Sequence, residues 1–118
     1  MSTPVSATAV LDLVIDRGCD FATEFIITNE AGAVDLTGCS VSAAVAELAG
    51  GTPFLDLNAV ITDAAAGKLQ LSAARADTAA VTRTAGVWDL LVLDSADFLL
   101  RQIAGKVTFS KIVSPPPA

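Results

Sequence analysis

Apolar and polar residues alternate with a period of two through most of the chain, as in β-strands that bury one face. Glycine, asparagine, aspartate and proline interrupt the alternation roughly every eight to twelve residues. The alternating segments are residues 11–15, 21–28, 41–45, 55–61, 69–72, 88–94 and 107–110. Short strands separated by regular turns predict an all-β fold, an antiparallel β-sandwich of about seven to eight strands.

Two connections have a recognisable chemistry. Residues 17–20 (Arg-Gly-Cys-Asp) predict a tight link that pairs the first two strands as a hairpin. Residues 73–81 are rich in alanine, and Ser72 stands before them as a candidate N-cap. We therefore expect one short helical crossover between strands at that point.

Length and composition favour one folded domain. The chain has 118 residues, of which 53% are hydrophobic and only 17% charged, unlike a disordered protein. We expect an N-terminal arm over residues 1–9, the sandwich over 10–113 and a Pro-rich tail over 114–118. Prolines cannot donate hydrogen bonds to a sheet, so the tail is expected to be extended polyproline II.

Charge and hydropathy exclude several partners. The net charge is −6, which would repel a phosphate backbone, so we expect no nucleic-acid partner. No apolar run approaches the length of about eighteen residues that a membrane span needs, so no membrane insertion is expected. The first residues, 1–4, lack the basic and apolar regions of a secretory signal, and we expect synthesis in the cytoplasm.

The residue types limit the chemistry further. Histidine and tyrosine are both absent, which removes the commonest general base and the commonest metal ligand. Cys19 and Cys39 lack a CxxC spacing, so free thiols are expected rather than a zinc site or a bridge. We predict no catalytic residue, no cofactor and no metal.

Two groups of acidic residues allow specific functional alternatives, a metal site and a catalytic site. Asp94 and Asp97 fall in a predicted turn, where they could contribute to a calcium site or form an ordinary solvated hairpin. Asp12 and Asp16 share one strand face, and with Glu24 they could be the paired carboxylates of a hydrolase. No third acid with calcium-loop spacing accompanies the first pair, and acids are plentiful here, so we favour surface roles.

The strand phases also predict which apolar residues face inwards. Trp88 falls in the middle of a strand and is expected to be a core anchor, packed with Leu90 and Val92. A 12 kDa domain cannot bury all of this hydrophobic sequence, because domains of this size hide only about two-thirds of the chain surface. The large apolar residues on the outward phase form the candidate assembly surface: Val14, Ile26, Leu91 and Leu93.

Several stretches, in order, resemble a known family. They are residues 17–21 leading to 27–32, 34–39, 61–63 with 67–69, and 86–90 before 105–108. Their patterns (R-G-x-x-F, D-L-T-G, I-T-D with a later glycine, W-D-L and G-K-V-T) resemble the immunoglobulin-like domains of tailed-bacteriophage virion proteins. The similarity is to the N-terminal domain of siphophage baseplate upper proteins, and it covers about residues 10–113. Cys19 and Trp88 depart from the family pattern, which often has an acid and a tyrosine there.

The resemblance implies an immunoglobulin-like sandwich and a non-enzymatic structural role in the virion, most simply in the tail or baseplate. It implies other virion proteins and further copies of the chain as partners, and no catalytic residues to carry over. A capsid decoration (cement) protein remains an alternative, as does a carbohydrate- or cell-surface-binding module. The last would expose aromatic side chains, whereas this chain has one tryptophan and five phenylalanines, mostly at core-phase positions.

Overall fold

The alternation in the sequence corresponds to two β-sheets whose facing sides share one hydrophobic core. The computed structural model describes residues 9–29, 32–112 and 117. The strands within them are β1 (Ala9–Val10), β2 (Leu13–Arg17), β3 (Phe21–Ile26), β4 (Thr28–Asn29), β5 (Gly32–Ala33), β6 (Ser40–Ala46), β7 (Pro53–Asp56), β8 (Asn58–Asp63), β9 (Lys68–Ala73), β10 (Ala85–Leu93) and β11 (Leu99–Lys111). One short helix, α1 (Arg75–Ala79), joins β9 to β10. The fold is therefore all-β and sandwich-like, as predicted.

The two sheets have different sizes. The larger has the order β1-β11-β10-β6-β7, with β2 also paired to β11, and the smaller has the order β3-β9-β8. Both β1 and β2 run parallel to β11, β1 beside Ile103 and Ala104 and β2 beside residues 107–111. They act as one interrupted edge strand. A separate small hairpin pairs β4 with β5.

The core lies between the sheets and draws on both of them. Along β10 every second residue is buried, from Gly86 to Val92, and β6 and β9 alternate in the same way. The largest fully buried side chains are Ile15, Val45, Leu57, Leu69, Leu71, Thr78, Leu90 and Val107. Both sheets thus bury their inward face against the other, which is why strand alternation persists through the chain.

Trp88 joins the centre of the large sheet to its N-terminal edge. The side chain is 2% exposed, and its indole Nε1 donates a hydrogen bond to the Leu11 carbonyl at 2.8 Å. Gly105 pairs with Trp88 across β10 and β11. A Cβ atom at Gly105 would lie 2.6 Å from the Leu11 carbonyl carbon and 3.1 Å from Nε1. Only glycine leaves room for this close approach.

Helix α1 is the predicted crossover, but its predicted cap is wrong. Ser72 lies within β9, and the N-cap position is Ala74, which makes no side-chain capping bond. The cap comes from elsewhere in the chain: the Arg75 N–H donates to Asp20 Oδ1 at 2.8 Å. A carboxylate oxygen thus satisfies one of the N–H groups that every helix leaves free at its start.

Three predicted details of the topology are wrong. Residues 17–20 do not form a hairpin, because β2 pairs with β11 and β3 pairs with β9; the link passes between sheets. The predicted strand 55–61 is divided at Leu57, whose N–H donates to the Ala43 carbonyl where the chain changes sheets. The last strand begins at Leu99, well before residue 107. A register shift between Leu90 and Leu91 interrupts the alternation, so the sequence pattern does not reveal the first half of this strand.

The predicted terminal segments are largely outside the described residues. Residues 1–8, 113–116 and 118 belong to them. Ala9, assigned to the predicted arm, lies in β1 and pairs with Ile103.

Trp88→Ala should lower the free energy of unfolding by about 3–5 kcal/mol, because it leaves a cavity in the core. Trp88→Phe keeps much of the apolar area but leaves the Leu11 carbonyl without its partner, at a cost of about 1–3 kcal/mol. Urea unfolding followed by circular dichroism measures both. A midpoint unchanged in Trp88→Ala would contradict the placement of Trp88 as the core anchor.

Candidate assembly surface

The outer face of the six-stranded sheet is built from residues that alternate with the core. On β10 these are Val87, Asp89, Leu91 and Leu93, all half-buried. Antiparallel pairing places partner residues on the same face: β6 contributes Ser40, Ser42, Ala44 and Ala46, and β11 contributes Leu99, Arg101, Ala104 and Lys106. The face therefore changes character along the strands, from leucine at one end to alanine at the other.

The leucine ridge, which we define as Leu91, Leu93 and Leu99, lies near the turn between β10 and β11. Leu93 pairs directly with Leu99, whose side chain is 59% exposed. Leu91 lies on the same face of β10, two residues before Leu93. The ridge thus joins one exposed leucine to two half-buried ones, and accessible apolar patches of this kind are typical of protein interfaces, because apolar surface is stabilised by removal from water.

The depression, at the other end of the face, is a shallow concavity of about 280 Å³. Its floor is formed by small or flat side chains, and the turn between β6 and β7 forms one wall. The lining residues are Ala44, Ala46, Leu48, Ala49, Gly50, Gly51, Pro53, Val87, Trp88, Asp89, Arg101, Ala104 and Gly105. Small residues on three neighbouring strands leave the space that larger side chains fill at the leucine ridge.

The turn that walls the depression is held by a polar clamp. Arg83 Nη1 lies 2.9 Å from Glu47 Oε1, and the Arg83 guanidinium lies 5.0 Å from the centre of the Phe54 ring. Phe54 in turn packs against Phe109, with ring centres 5.8 Å apart. The clamp links the start of the turn at Glu47 to β7 and the core, and so supports the shape of the depression.

An ion pair lies between the leucine ridge and the depression. Arg101 Nη1 is 3.9 Å from Asp89 Oδ2, and the two side chains are 52% and 41% exposed. Exposed pairs of this kind contribute about 0–1 kcal/mol to folding. The pair therefore adds little stability to the monomer, and its two charges remain accessible from solvent.

The four predicted surface residues do not form one patch. Leu91 and Leu93 share the leucine ridge. Val14 is on the same sheet face, 65% exposed, but it pairs with Thr108, about 20 Å along β11 from the position opposite Leu91. Ile26 is 50% exposed on the outer face of the three-stranded sheet, where it pairs with Lys68. Strand phase indicated exposure correctly for Val14 and Ile26, but it could not indicate which sheet each belongs to.

Other exposed apolar residues were missed by the sequence reasoning. Leu99, Leu48 and Val10 are each more than half exposed, and Val10 pairs with Ala104 beside the depression. Leu99 could have been found from the hairpin register, since it lies opposite Leu93 across a short turn. Leu48 and the alanine floor had no such signal, because their role depends on the turn that follows β6.

Two of the predicted acidic residues bond to the backbone. Asp94 Oδ1 accepts hydrogen bonds from the N–H groups of Ala96 and Phe98, each at 2.9 Å, and so closes the turn between β10 and β11. Asp12 Oδ1 accepts from the Lys106 N–H at 2.9 Å. Glu24 lies on β3, in the other sheet from β2, so it is not brought into a carboxylate pair with Asp12 and Asp16.

A polar junction fixes the link between β2 and β3 against α1. Fully buried Thr78 accepts a hydrogen bond from the Gly18 N–H at 3.0 Å and donates to the Cys19 carbonyl at 2.8 Å. Arg75 Nη2 lies 2.9 Å from Asp20 Oδ2. The hydrogen bond from the Arg75 side chain, with a further bond from its backbone, lowers the pKa of Asp20 below its usual value.

Two further groups have perturbed pKa values. Hydrogen bonds from the Thr37 hydroxyl and N–H lower the pKa of Asp35. Burial, with smaller contributions from the charges of Asp94 and Asp35, raises the pKa of the Cys39 thiol. Cys19 and Cys39 are both free and half-buried. A raised pKa keeps Cys39 in its less reactive thiol form at neutral pH.

Comparisons with known proteins identify no relative: no protein-family model matches the chain, and no curated protein matches it. Within residues 9–29, 32–112 and 117, no group of three cysteine, aspartate or glutamate residues is placed to hold a metal ion. In the same part of the chain, no helix has the length and apolar character needed to cross a membrane.

Asp20→Asn should lower the melting temperature at neutral pH, and the difference from the native protein should shrink on acidification. Because the folded pKa of Asp20 is depressed, its contribution is full above the unfolded value of about 3.9 and is lost as the pH falls through the folded pKa. Thermal unfolding between neutral pH and about pH 2.5 measures this. In an Arg75→Ala background, Asp20→Asn should lower the melting temperature by less. A loss of melting temperature in Asp20→Asn that is the same at every pH would contradict a contribution from the Asp20–Arg75 ion pair.

Proposed function

We propose that this protein is a non-enzymatic structural subunit of a tailed-bacteriophage virion, most simply in the tail or baseplate, which acts by protein–protein assembly. The observation that carries the proposal is the leucine ridge, a set of solvent-accessible leucines on a regular sheet face. Keeping such side chains in water is unfavourable, and burial against another protein removes that cost. Formation in the host cytoplasm and location in the assembled virion follow from this role.

The strand order supports the finer assignment of an immunoglobulin-like sandwich. In that arrangement the second, fourth and fifth main strands form one sheet, and the third, sixth and seventh form the other. The grouping here is β3, β8 and β9 against β6, β10 and β11, with α1 crossing between the sheets. The departure is the first strand, which pairs with β11 instead of joining the smaller sheet.

The stretches that resemble baseplate-type domains also have structural roles in the fold, and this supports the proposed role in the virion. Two of its stretches form parts of the fold that specify shape: Gly86 to Leu90 in the central strand, and Gly105 beside Trp88. Asp94 and Asp12 use their carboxylates to hold backbone N–H groups, which supports a structural use of these acids. A subunit of this kind needs accessible apolar surface on a folded domain, and the leucine ridge provides such a surface.

Leu91→Asp and Ile26→Asp should each leave the domain folded but prevent incorporation into particles. A charge placed in a dry interface without a partner costs several kcal/mol, about 3–5 in measured cases. The two residues lie on opposite sheets, so the variants test two contact surfaces separately. Thr82→Asp, at an exposed position between α1 and β10, is the matched control.

The amount of protein in purified particles, measured by quantitative mass spectrometry, is the readout. Normal incorporation of both variants would contradict the proposed surfaces. Failure to detect the native protein in any purified particle would overturn the structural role itself.

A further inference from the structure

We infer that two copies of the chain pack face to face through the outer faces of their six-stranded sheets, with the leucine ridge of each copy seated in the depression of the other. The inference rests on the proposed function, and it names the partner of this face as a second copy. Three features of the face carry it: the spacing of ridge and depression, the central ion pair, and the available area.

The spacing of the ridge and the depression fits a second copy related by a two-fold axis. Leu93 at the ridge and Val87 in the depression are six residues apart on β10, or about 20 Å. One copy therefore cannot fill its own depression. A two-fold axis in the plane of the face, crossing the strands at the level of Leu90, reverses the strand direction of the partner. It places Leu93 of each ridge over Val87 of the opposite depression, and both contacts form at once.

The charges on the face are complementary under the same axis. Asp89 and Arg101 lie on either side of Leu90, on the neighbouring strands β10 and β11. The axis brings Asp89 of one copy beside Arg101 of the second copy, and the reverse pair forms symmetrically. The two intramolecular pairs then join in a four-charge network at the centre of the interface.

The depression suits side chains better than a small-molecule ligand. Its volume of about 280 Å³ is below the range of roughly 300–1,000 Å³ typical of ligand pockets. Its floor of Ala44, Ala46, Val87 and Ala104 offers apolar contact. Leucine side chains from a facing sheet match this floor in chemistry, and large side chains packed opposite small ones are how stacked sheets interdigitate.

The area suits a weak, reversible contact. β10 and β11 run side by side for nine residues, β6 adds seven and β7 adds four, and at about 4.8 Å between strands and 3.3 Å per residue they define a face of about 460 Å². Two such faces together hide about 900 Å², which is the size of small, transient interfaces. The net charge of −6 on each copy opposes association at long range, so salt near 0.15 M, which screens beyond about 8 Å, favours the dimer.

Sedimentation equilibrium of the purified full chain tests the dimer. We expect the native protein to dimerise reversibly, and Leu93→Asp to weaken the dimer about 100-fold or more, because each copy would bury an unpaired charge. Val60→Asp is the matched control: Val60 is 47% exposed, but it lies on β8 in the smaller sheet. Its dimer should be unchanged, and circular dichroism should show that both variants are folded.

A charge-exchange experiment tests the two-fold arrangement. Asp89→Arg alone and Arg101→Asp alone should each weaken the homodimer about tenfold or more, because like charges would then meet across the axis. Mixing the two variants should restore association as a heterodimer, since each positive pair then faces a negative pair. A purely intramolecular role of the ion pair predicts no such rescue.

The outcomes separate this inference from the proposed function. A native protein that stays monomeric up to about 1 mM would overturn the inference, even if the protein is found in particles. A dimer that survives Leu93→Asp, or variants that fail to form the heterodimer, would overturn it as well. A dimer that responds as expected, from a protein never found in virions, would uphold the inference and overturn the virion role.

Discussion

The first edge of the large sheet is held by Trp88, which fills the core and whose indole donates a hydrogen bond to the Leu11 carbonyl. Leu11 is held from two sides, because its own N–H donates to the Ala104 carbonyl at 3.0 Å. Gly105 leaves the space in which this segment passes over β11. The contact fixes the first edge of the large sheet to its centre, so that β1 and β2 continue along β11 on either side of it. With that edge fixed, the side chains of Leu13 and Ile15 are buried in the core.

The alternation predicted the fold class and most inward-facing residues, but it could not predict where the chain changes sheets. Leu55 and Leu57 are both buried, although the strand ends between them, because both sheets face the same core. The alternation of buried residues therefore continues past the point where the chain changes sheets, and nothing in the sequence marks that point. The register shift beside Leu91 had the opposite effect, since the extra residue in β11 broke the period inside one continuous strand.

The candidate site was predictable to a similar degree. Phase alone identified Leu91 and Leu93 as outward-facing, and the structure adds Leu99 because hairpin pairing brings it beside Leu93. The alanine floor of the depression gave no sequence signal, because small residues define a surface only through what surrounds them. Together these features make the outer face of the six-stranded sheet the part of the molecule best suited to assembly: it combines exposed leucine, a complementary concavity and charges of both signs.

Cryo-electron microscopy of a phage particle that carries this protein would show directly which face of each copy is covered. We expect density for the domain in the tail or baseplate, with the leucine ridge and the depression buried against another protein chain in every ordered copy. Copies whose six-stranded sheet presents that face to solvent, held in the particle by other surfaces alone, would contradict the account.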